Sequence, residues 1–168
     1  YREGELYFPN SPVMTIEGGL GEALVLETLI LSILNHASSI ATAAARIAQA
    51  ANGKLVMEAG SRRIHPESAV HAARAAYLGG IDATSNLAAG LRWGIPTIGT
   101  ASHAFTLAYP SESQAFNAQQ EFIGSDSIFL VDTYDIVQGI QNAVEATDRK
   151  LKGIRLDSGD LEAGAEIA

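Results

Sequence analysis

Five segments of this sequence concentrate polar, reactive side chains directly after short apolar runs: AGSRR (59–63), TSN (84–86), TASHAF (100–105), DTYD (132–135) and RLDSGD (155–160). In parallel α/β proteins, ligands bind beyond the C-terminal ends of the strands, so these segments are where chemistry is expected. His103 is at the centre, flanked by small and hydroxyl residues. A neutral imidazole there can act as a base or a nucleophile, or it can be a hydrogen-bonded loop histidine. Arg62 and Arg63 follow Gly60 and suit a guanidinium clamp on a phosphate or carboxylate, or a pair of surface cations. Asp132 and Asp157 each close a strand-like run. Such a carboxylate can bind a metal, hold ribose hydroxyls or stabilise a cationic sugar, while Asp132 can also simply cap the next helix. Arg155 lies two residues before Asp157 and so shares its side of a strand. Ser158 and Gly159 offer backbone amides near a helix start, suited to an anion. Ser85 and Asn86 are candidates for ligand contact or for capping. His36, His65 and His71 lack such a setting and are not spaced as a metal site.

The elements that must position these groups follow from turn and periodicity signals. Residues 1–20 read as extended, with ELYF and VMTIE as β-type runs around the turn cluster PNSP. From Gly21 to Ala51 there is no proline and no further glycine, which predicts one long helix or two abutting ones. Its first half is apolar on nearly every side and is expected to be buried between layers, while its second half is alanine-rich. Strands are expected at 54–58, near 81–84, and at 95–99, 127–132 and 153–157. Helices are expected from Pro66 to Gly79, over 86–93, from Ser111 to Gly124, up to about Arg149, and after Asp157. Strands alternating with helices imply βαβ units and a parallel sheet. A closed eight-stranded barrel takes roughly 250 residues, so five strands fit an open doubly wound sheet or part of a barrel. The halt just inside a helix favours the partial barrel.

Composition narrows the function classes. Of 168 residues, 47% are apolar and 18% charged, which is a globular balance. A formal charge of −8 argues against nucleic-acid or anionic-membrane surfaces. With no cysteine, thiolate chemistry and disulfides are excluded. The apolar run Ala23–Leu34 is interrupted by Glu27, Thr28 and Ser32, and reads as too short and too polar to span a bilayer. No signal peptide is visible at the start, and a cytoplasmic setting is expected.

Taken in order and spacing, FPNSP, EAGSRR, AARAAYLGG, ATSNLAAG, IPTIGTASHAF, LVDTYD and IRLDSGDL resemble nicotinate phosphoribosyltransferase along essentially the whole chain. The resemblance implies joining nicotinate to phosphoribosyl pyrophosphate, giving nicotinate mononucleotide and pyrophosphate for NAD biosynthesis. It further implies coupled ATP hydrolysis through a phosphohistidine, a requirement for Mg²⁺, and a homodimer. The implied fold is an irregular TIM-like α/β barrel (21–168 here, truncated) beside an α/β sandwich domain that would own the β segment 1–20. By this resemblance His103 is the phosphorylated histidine, Asp132 and Asp157 are active-site carboxylates, and Arg62, Thr100, Arg155, Ser158 and Gly159 bind substrate, with Ser85 a further pocket position. No metal ligand is assigned to the chain.

The sequence also departs from the family pattern. Ala59 stands where an aromatic ring-stacking residue is common. Neither the N-terminal segment with a stacking tyrosine nor the glycine-rich phosphate loop is present, so the chain reads as an internal fragment, inactive alone. The competing expectations are a related nicotinamide or quinolinate phosphoribosyltransferase, and a non-catalytic α/β assembly module.

Overall fold

A computed structural model describes all 168 residues. The chain divides into two compact units, Tyr1–Gly99 and Thr100–Ala168.

In the first unit, α1 (Leu20–Ala51) is a single helix of 32 residues. It is followed by β1 (Met57–Glu58), a 3-10 turn (Gly60–Arg63), α2 (Pro66–Leu78), β2 (Ala83–Thr84) and α3 (Leu87–Trp93). Proline at the first position of α2 has no N–H to lose there, and the five buried alanines of α2 let neighbouring backbone approach closely. Ala44 of α1 packs with Ala76 and Ile81. The crossing is so tight that a Cβ on Gly79 would sit 2.4 Å from the Ala41 carbonyl oxygen. Strands β1 and β2 pair in parallel, with Met57 opposite Ala83 and Glu58 opposite Thr84. The expected strand 95–99 is reduced to a single parallel bridge, Thr84 to Thr97. Pro96 has no N–H to contribute to a ladder, which leaves two hydrogen bonds: Thr84 N–H to the Pro96 carbonyl, and Ile98 N–H to the Thr84 carbonyl.

Two expectations for this unit are overturned. Residues 1–19 form no strand; they are turns and irregular chain, almost all exposed. A β-type run needs a neighbouring strand for its N–H and C=O groups, and none lies beside ELYF or VMTIE. The first half of α1 is also not buried: Leu24, Val25, Leu29 and Ile33 are all more than half exposed. The alanine-rich second half packs on α2, and nothing in the chain covers the apolar first half. Because the alanines extend the apolar run, α1 is long and apolar enough to cross a membrane by length and composition. Reading the 12-residue stretch 23–34 alone understated this.

The second unit runs α4 (His103–Leu107), α5 (Glu112–Ile123), β3 (Ile128–Leu130), α6 (Ile136–Ala146), β4 (Gly153–Arg155) and α7 (Leu161–Ile167). Strands β3 and β4 pair in parallel, with Ile128, Phe129 and Leu130 opposite Gly153, Ile154 and Arg155. Phe129 and Val131 are fully buried against Phe116, Ala115 and Ala143 of the covering helices. The Phe116 and Phe129 rings meet at 5.0 Å. Ser111 caps α5 by accepting from Gln114 N–H, as its spacing predicts. The segment around His103, read as a loop, instead turns into α4 with His103 as its first residue. Parallel strands alternating with helices, the expected α/β class, thus describe both units.

Candidate functional site

The strand register of the second unit assembles the polar cluster. Leu130 faces Arg155 across the ladder, and Val131 N–H donates to the Arg155 carbonyl. The next residue on one strand is Asp132, and two residues on along the other is Asp157, so both carboxylates emerge at the same C-terminal edge. Asp132 does not cap α6; Asp135 does, accepting from Gln138 N–H. Asp132 instead accepts three hydrogen bonds. Its Oδ2 takes the Asp157 N–H at 2.8 Å and the Ser158 hydroxyl at 2.6 Å. Its Oδ1 lies 3.0 Å from His103 Nε2.

The Asp132 side chain is 2% exposed. Burial pushes its carboxyl up, but hydrogen bonds from Ser158, Asp157 N–H and His103 outweigh that and hold it below the usual carboxylate range. An ionised carboxylate can only accept, so the neutral His103 ring carries its proton on Nε2. The Nδ1 lone pair is then free. Its nearest carboxylate oxygen, Asp157 Oδ2, is 4.0 Å away, beyond hydrogen-bond range. The His103 side chain as a whole is 37% exposed.

Arg155 completes the cluster. Its Nη2 donates to Asp157 Oδ1, as the two-residue strand spacing suggests, and its Nη1 donates to Thr100 Oγ1 at 2.6 Å. The structure thereby brings together Thr100, His103, Asp132, Arg155, Asp157 and Ser158. Gly159 follows with φ +72°, a left-handed turn that sends the chain into α7. The first amides of α7 are taken by Asp160, whose side chain accepts from Glu162 and Ala163 N–H. The Ser158 hydroxyl donates to Asp132.

Arg62 and Ser85 belong to the first unit, and both are exposed. Arg62 sits on the 3-10 turn, and neither it nor Arg63 joins an ion pair, unlike Arg74 and Arg155. Asn86 caps α3 by accepting from Ala89 N–H. Beside this turn lies a polar chain that the motif reading passes over. Glu58 accepts from the Thr84 hydroxyl at 2.7 Å and from Gly60 N–H. Its sequence signal is the carboxylate that closes the KLVME run. No group of three or more His, Cys, Asp or Glu side chains is arranged to hold a metal ion.

No family model matches the chain. A nicotinate phosphoribosyltransferase of Mycobacterium tuberculosis is 52% identical over 169 residues, which cover 96% of this chain and 38% of that protein. One from Bacillus subtilis is 47% identical over 167 residues, 95% of this chain and 34% of that protein. Among solved structures, human nicotinic acid phosphoribosyltransferase superposes with a TM-score of 0.82 at 27% identity, covering 97% of this chain and 44% of that one. A nicotinate-nucleotide pyrophosphorylase from Pyrococcus furiosus gives 0.73 at 36% identity, over 79% of this chain and 36% of that one. The chain therefore spans a little over a third of the length of these curated relatives.

Proposed function

We propose that this chain, a homologue of the nicotinate phosphoribosyltransferases along 96% of its length, carries part of an active site that joins nicotinate to phosphoribosyl pyrophosphate. The products are nicotinate mononucleotide and pyrophosphate, with ATP hydrolysis coupled through a phosphohistidine at His103. The observation that carries the reading is the oriented imidazole: Asp132 holds Nε2–H and leaves Nδ1 open. In the proposed step the Nδ1 lone pair attacks the γ-phosphorus of ATP, the bond to the bridging oxygen breaks, and ADP departs. The ring becomes cationic, and the ionised Asp132 beneath Nε2 balances that charge. Attack by water then releases phosphate and restores the neutral ring.

Other residues have roles that match their chemistry. Displacement at the sugar carbon develops oxocarbenium character, which Asp157 stabilises electrostatically. Arg62 and Arg155 bind anionic groups of the substrates. Thr100 accepts from Arg155, so its own hydroxyl proton is available to a pyridine carboxylate. Ser85 offers an exposed hydroxyl, and Ser158 and Gly159 offer backbone amides at the turn before α7. Mg²⁺, the expected cofactor, is compatible with this donor set only in one way. Both oxygens of Asp132 are taken and Asp157 Oδ1 is paired with Arg155, which leaves Asp157 Oδ2 as the open carboxylate oxygen. Such a site suits a metal carried mainly by substrate phosphates, where it neutralises their charge. The same reading makes the parallel ladders part of an irregular TIM-like barrel, in a cytoplasmic homodimer.

The test is a chimera in which this chain replaces the matching 169 residues of the Mycobacterium tuberculosis relative. Given nicotinate, phosphoribosyl pyrophosphate and ATP, it should form nicotinate mononucleotide; a folded, inactive chimera would refute the reading. His103→Asn should abolish labelling by γ-phosphate-labelled ATP, and persisting phosphohistidine would assign the wrong residue. A second reading, a related quinolinate phosphoribosyltransferase, takes quinolinate instead. It predicts CO₂ release from quinolinate by the same chimera.

A further inference from the structure

We infer that Glu58 is a positioning residue for Arg62, acting by tying down the turn that carries it; this rests on the substrate-binding role proposed for Arg62. Three observations lead there. Arg62 lies on a four-residue 3-10 turn, Gly60–Arg63, directly after β1. Such a turn has few internal hydrogen bonds of its own, so its geometry depends on outside anchors. The two arginines are exposed and unpaired, so no ion pair fixes their direction.

The anchors form one continuous chain. The half-buried Glu58 uses each carboxylate oxygen once. Its Oε2 accepts from Thr84 Oγ1 at 2.7 Å on the neighbouring strand, and its Oε1 accepts from Gly60 N–H at the start of the turn. Thr84 is fully buried, and its hydroxyl oxygen also accepts from Asn86 N–H at 3.0 Å. Asn86 then reaches back: its Nδ2 donates to Ser61 Oγ at 3.1 Å, while its Oδ1 accepts from Ala89 N–H at 3.0 Å and caps α3. The turn is thereby held at two successive residues, Gly60 and Ser61, immediately before Arg62. Glycine at position 60 fits this fold-back, because a Cβ there would lie 2.9 Å from Glu58 Oε1.

Glu58 is the link whose identity can be tested cleanly. The strand ladder does not depend on it, since Met57–Ala83 and Glu58–Thr84 pair through backbone. A glutamine can still accept from Thr84 through its oxygen, but its NH₂ then faces the Gly60 N–H, donor against donor. Glu58→Gln therefore releases the turn while leaving the fold around it in place.

The experiment has two arms. In the chimera described above, Arg62→Ala identifies the substrate whose KM depends on this guanidinium. Glu58→Gln should raise that same KM about tenfold with kcat within about twofold, the pattern of lost binding. It should add nothing in the Arg62→Ala background. Thr84→Ser keeps the hydroxyl and should behave as wild type, whereas Thr84→Val should follow Glu58→Gln. An unchanged KM, or kcat falling together with every KM as in a generally loosened fold, overturns the inference. The second arm uses this chain itself. Amide exchange at Gly60 should quicken about tenfold in Glu58→Gln, as loss of a charge-assisted hydrogen bond requires. Unchanged exchange also overturns it. If the wild-type chimera makes no nicotinate mononucleotide, the functional reading fails separately, and the exchange result still decides whether Glu58 holds the turn.

Discussion

Replacing Asp132 with asparagine should invert the tautomer of His103. The carboxylate serves fixed donors on one side: Asp157 N–H and the Ser158 hydroxyl both reach Oδ2. A hydroxyl can rotate, but a backbone N–H cannot. The asparagine amide must therefore turn its oxygen towards Asp157 N–H and its NH₂ towards His103 Nε2, a donor where an acceptor had been. The neutral imidazole then accepts at Nε2 and carries its proton on Nδ1, which removes the lone pair that the proposed phosphoryl transfer needs. The loss of stability is modest by comparison. Hydrogen bonds to a charged acceptor contribute about 1.5–3 kcal/mol each, against about 0.5–1.5 for neutral ones. Three such bonds weaken, and release of the cost of burying a charge offsets part of this, for a net loss of about 2 kcal/mol. The pH dependence has a defined sign. Asp132 is held below its usual range, so its contribution is present above the unfolded carboxylate value of about 3.9 and is lost as pH falls through the lower folded value. The stability gap between wild type and Asp132→Asn should therefore close in acid. The assay is long-range ¹H–¹⁵N correlation of the imidazole nitrogens in this chain near neutral pH, with His103 assigned from His103→Asn. An Nε2–H tautomer surviving in Asp132→Asn would refute the argument.

Two further outcomes test the packing that supports the cluster. Glu112 is 6% exposed, and its Oε1 has no partner while Oε2 accepts from Asn142 at 2.8 Å. Burial raises its carboxyl, the Asn142 hydrogen bond opposes this, and the charge of Asp135 adds to the rise. Its contribution is thus fully present below the unfolded pKa and is lost as pH rises through the folded one. Urea midpoints of wild type should decline over that window, and part of the decline should vanish in Glu112→Gln; identical profiles would contradict it. Gly139→Ala would put a Cβ 2.3 Å from the Val131 carbonyl oxygen, forcing α6 off the end of β3. Overpacking of this kind costs about 1–3 kcal/mol, and denaturant unfolding should show it; an unperturbed midpoint would mean that α6 has room to shift.

The alternation of strands with helices was legible because each strand run is short, apolar and bounded by turn residues. SIFLVD and GIRLD illustrate this, and both pair where expected, though each contributes only three residues to the ladder. The same logic failed at IPTIG, where a good β composition contains a proline that removes a ladder donor. It failed again at ELYF and VMTIE, which have the composition of strands and no strand to pair with. Helix α1 was legible in extent and misread in burial, because an apolar face reports only that a helix can be covered, not that this chain covers it. At the candidate site, residue types and spacing identified His103, Asp132, Arg155, Asp157 and Ser158, the family resemblance added Thr100, and the six do meet. Their division of labour was not legible: Ser158 drew notice for its backbone amide, and its hydroxyl holds Asp132. Glu58 drew no attention, since a lone glutamate at a strand end gains meaning only from the threonine 26 residues away that it meets.

The parallel register of β3 and β4 connects these points. Pairing Leu130 with Arg155 sets Asp132 beside the chain that turns at Asp157, so the carboxylate is met by an N–H that its own strand neighbour supplies. That backbone donor fixes which oxygen is left for His103, and the remaining oxygen fixes which ring nitrogen carries the proton. A slip of one residue in this ladder would turn alternate side chains to the other face. It would part Arg155 and Asp157 from Asp132 without changing any reactive residue. The buried Phe129, Leu130 and Val131 oppose that slip, because both faces of the strand are covered and each side chain would have to leave the packed site it fills. Hydrophobic burial in the strand and the protonation state of the imidazole are, in this unit, consequences of one register.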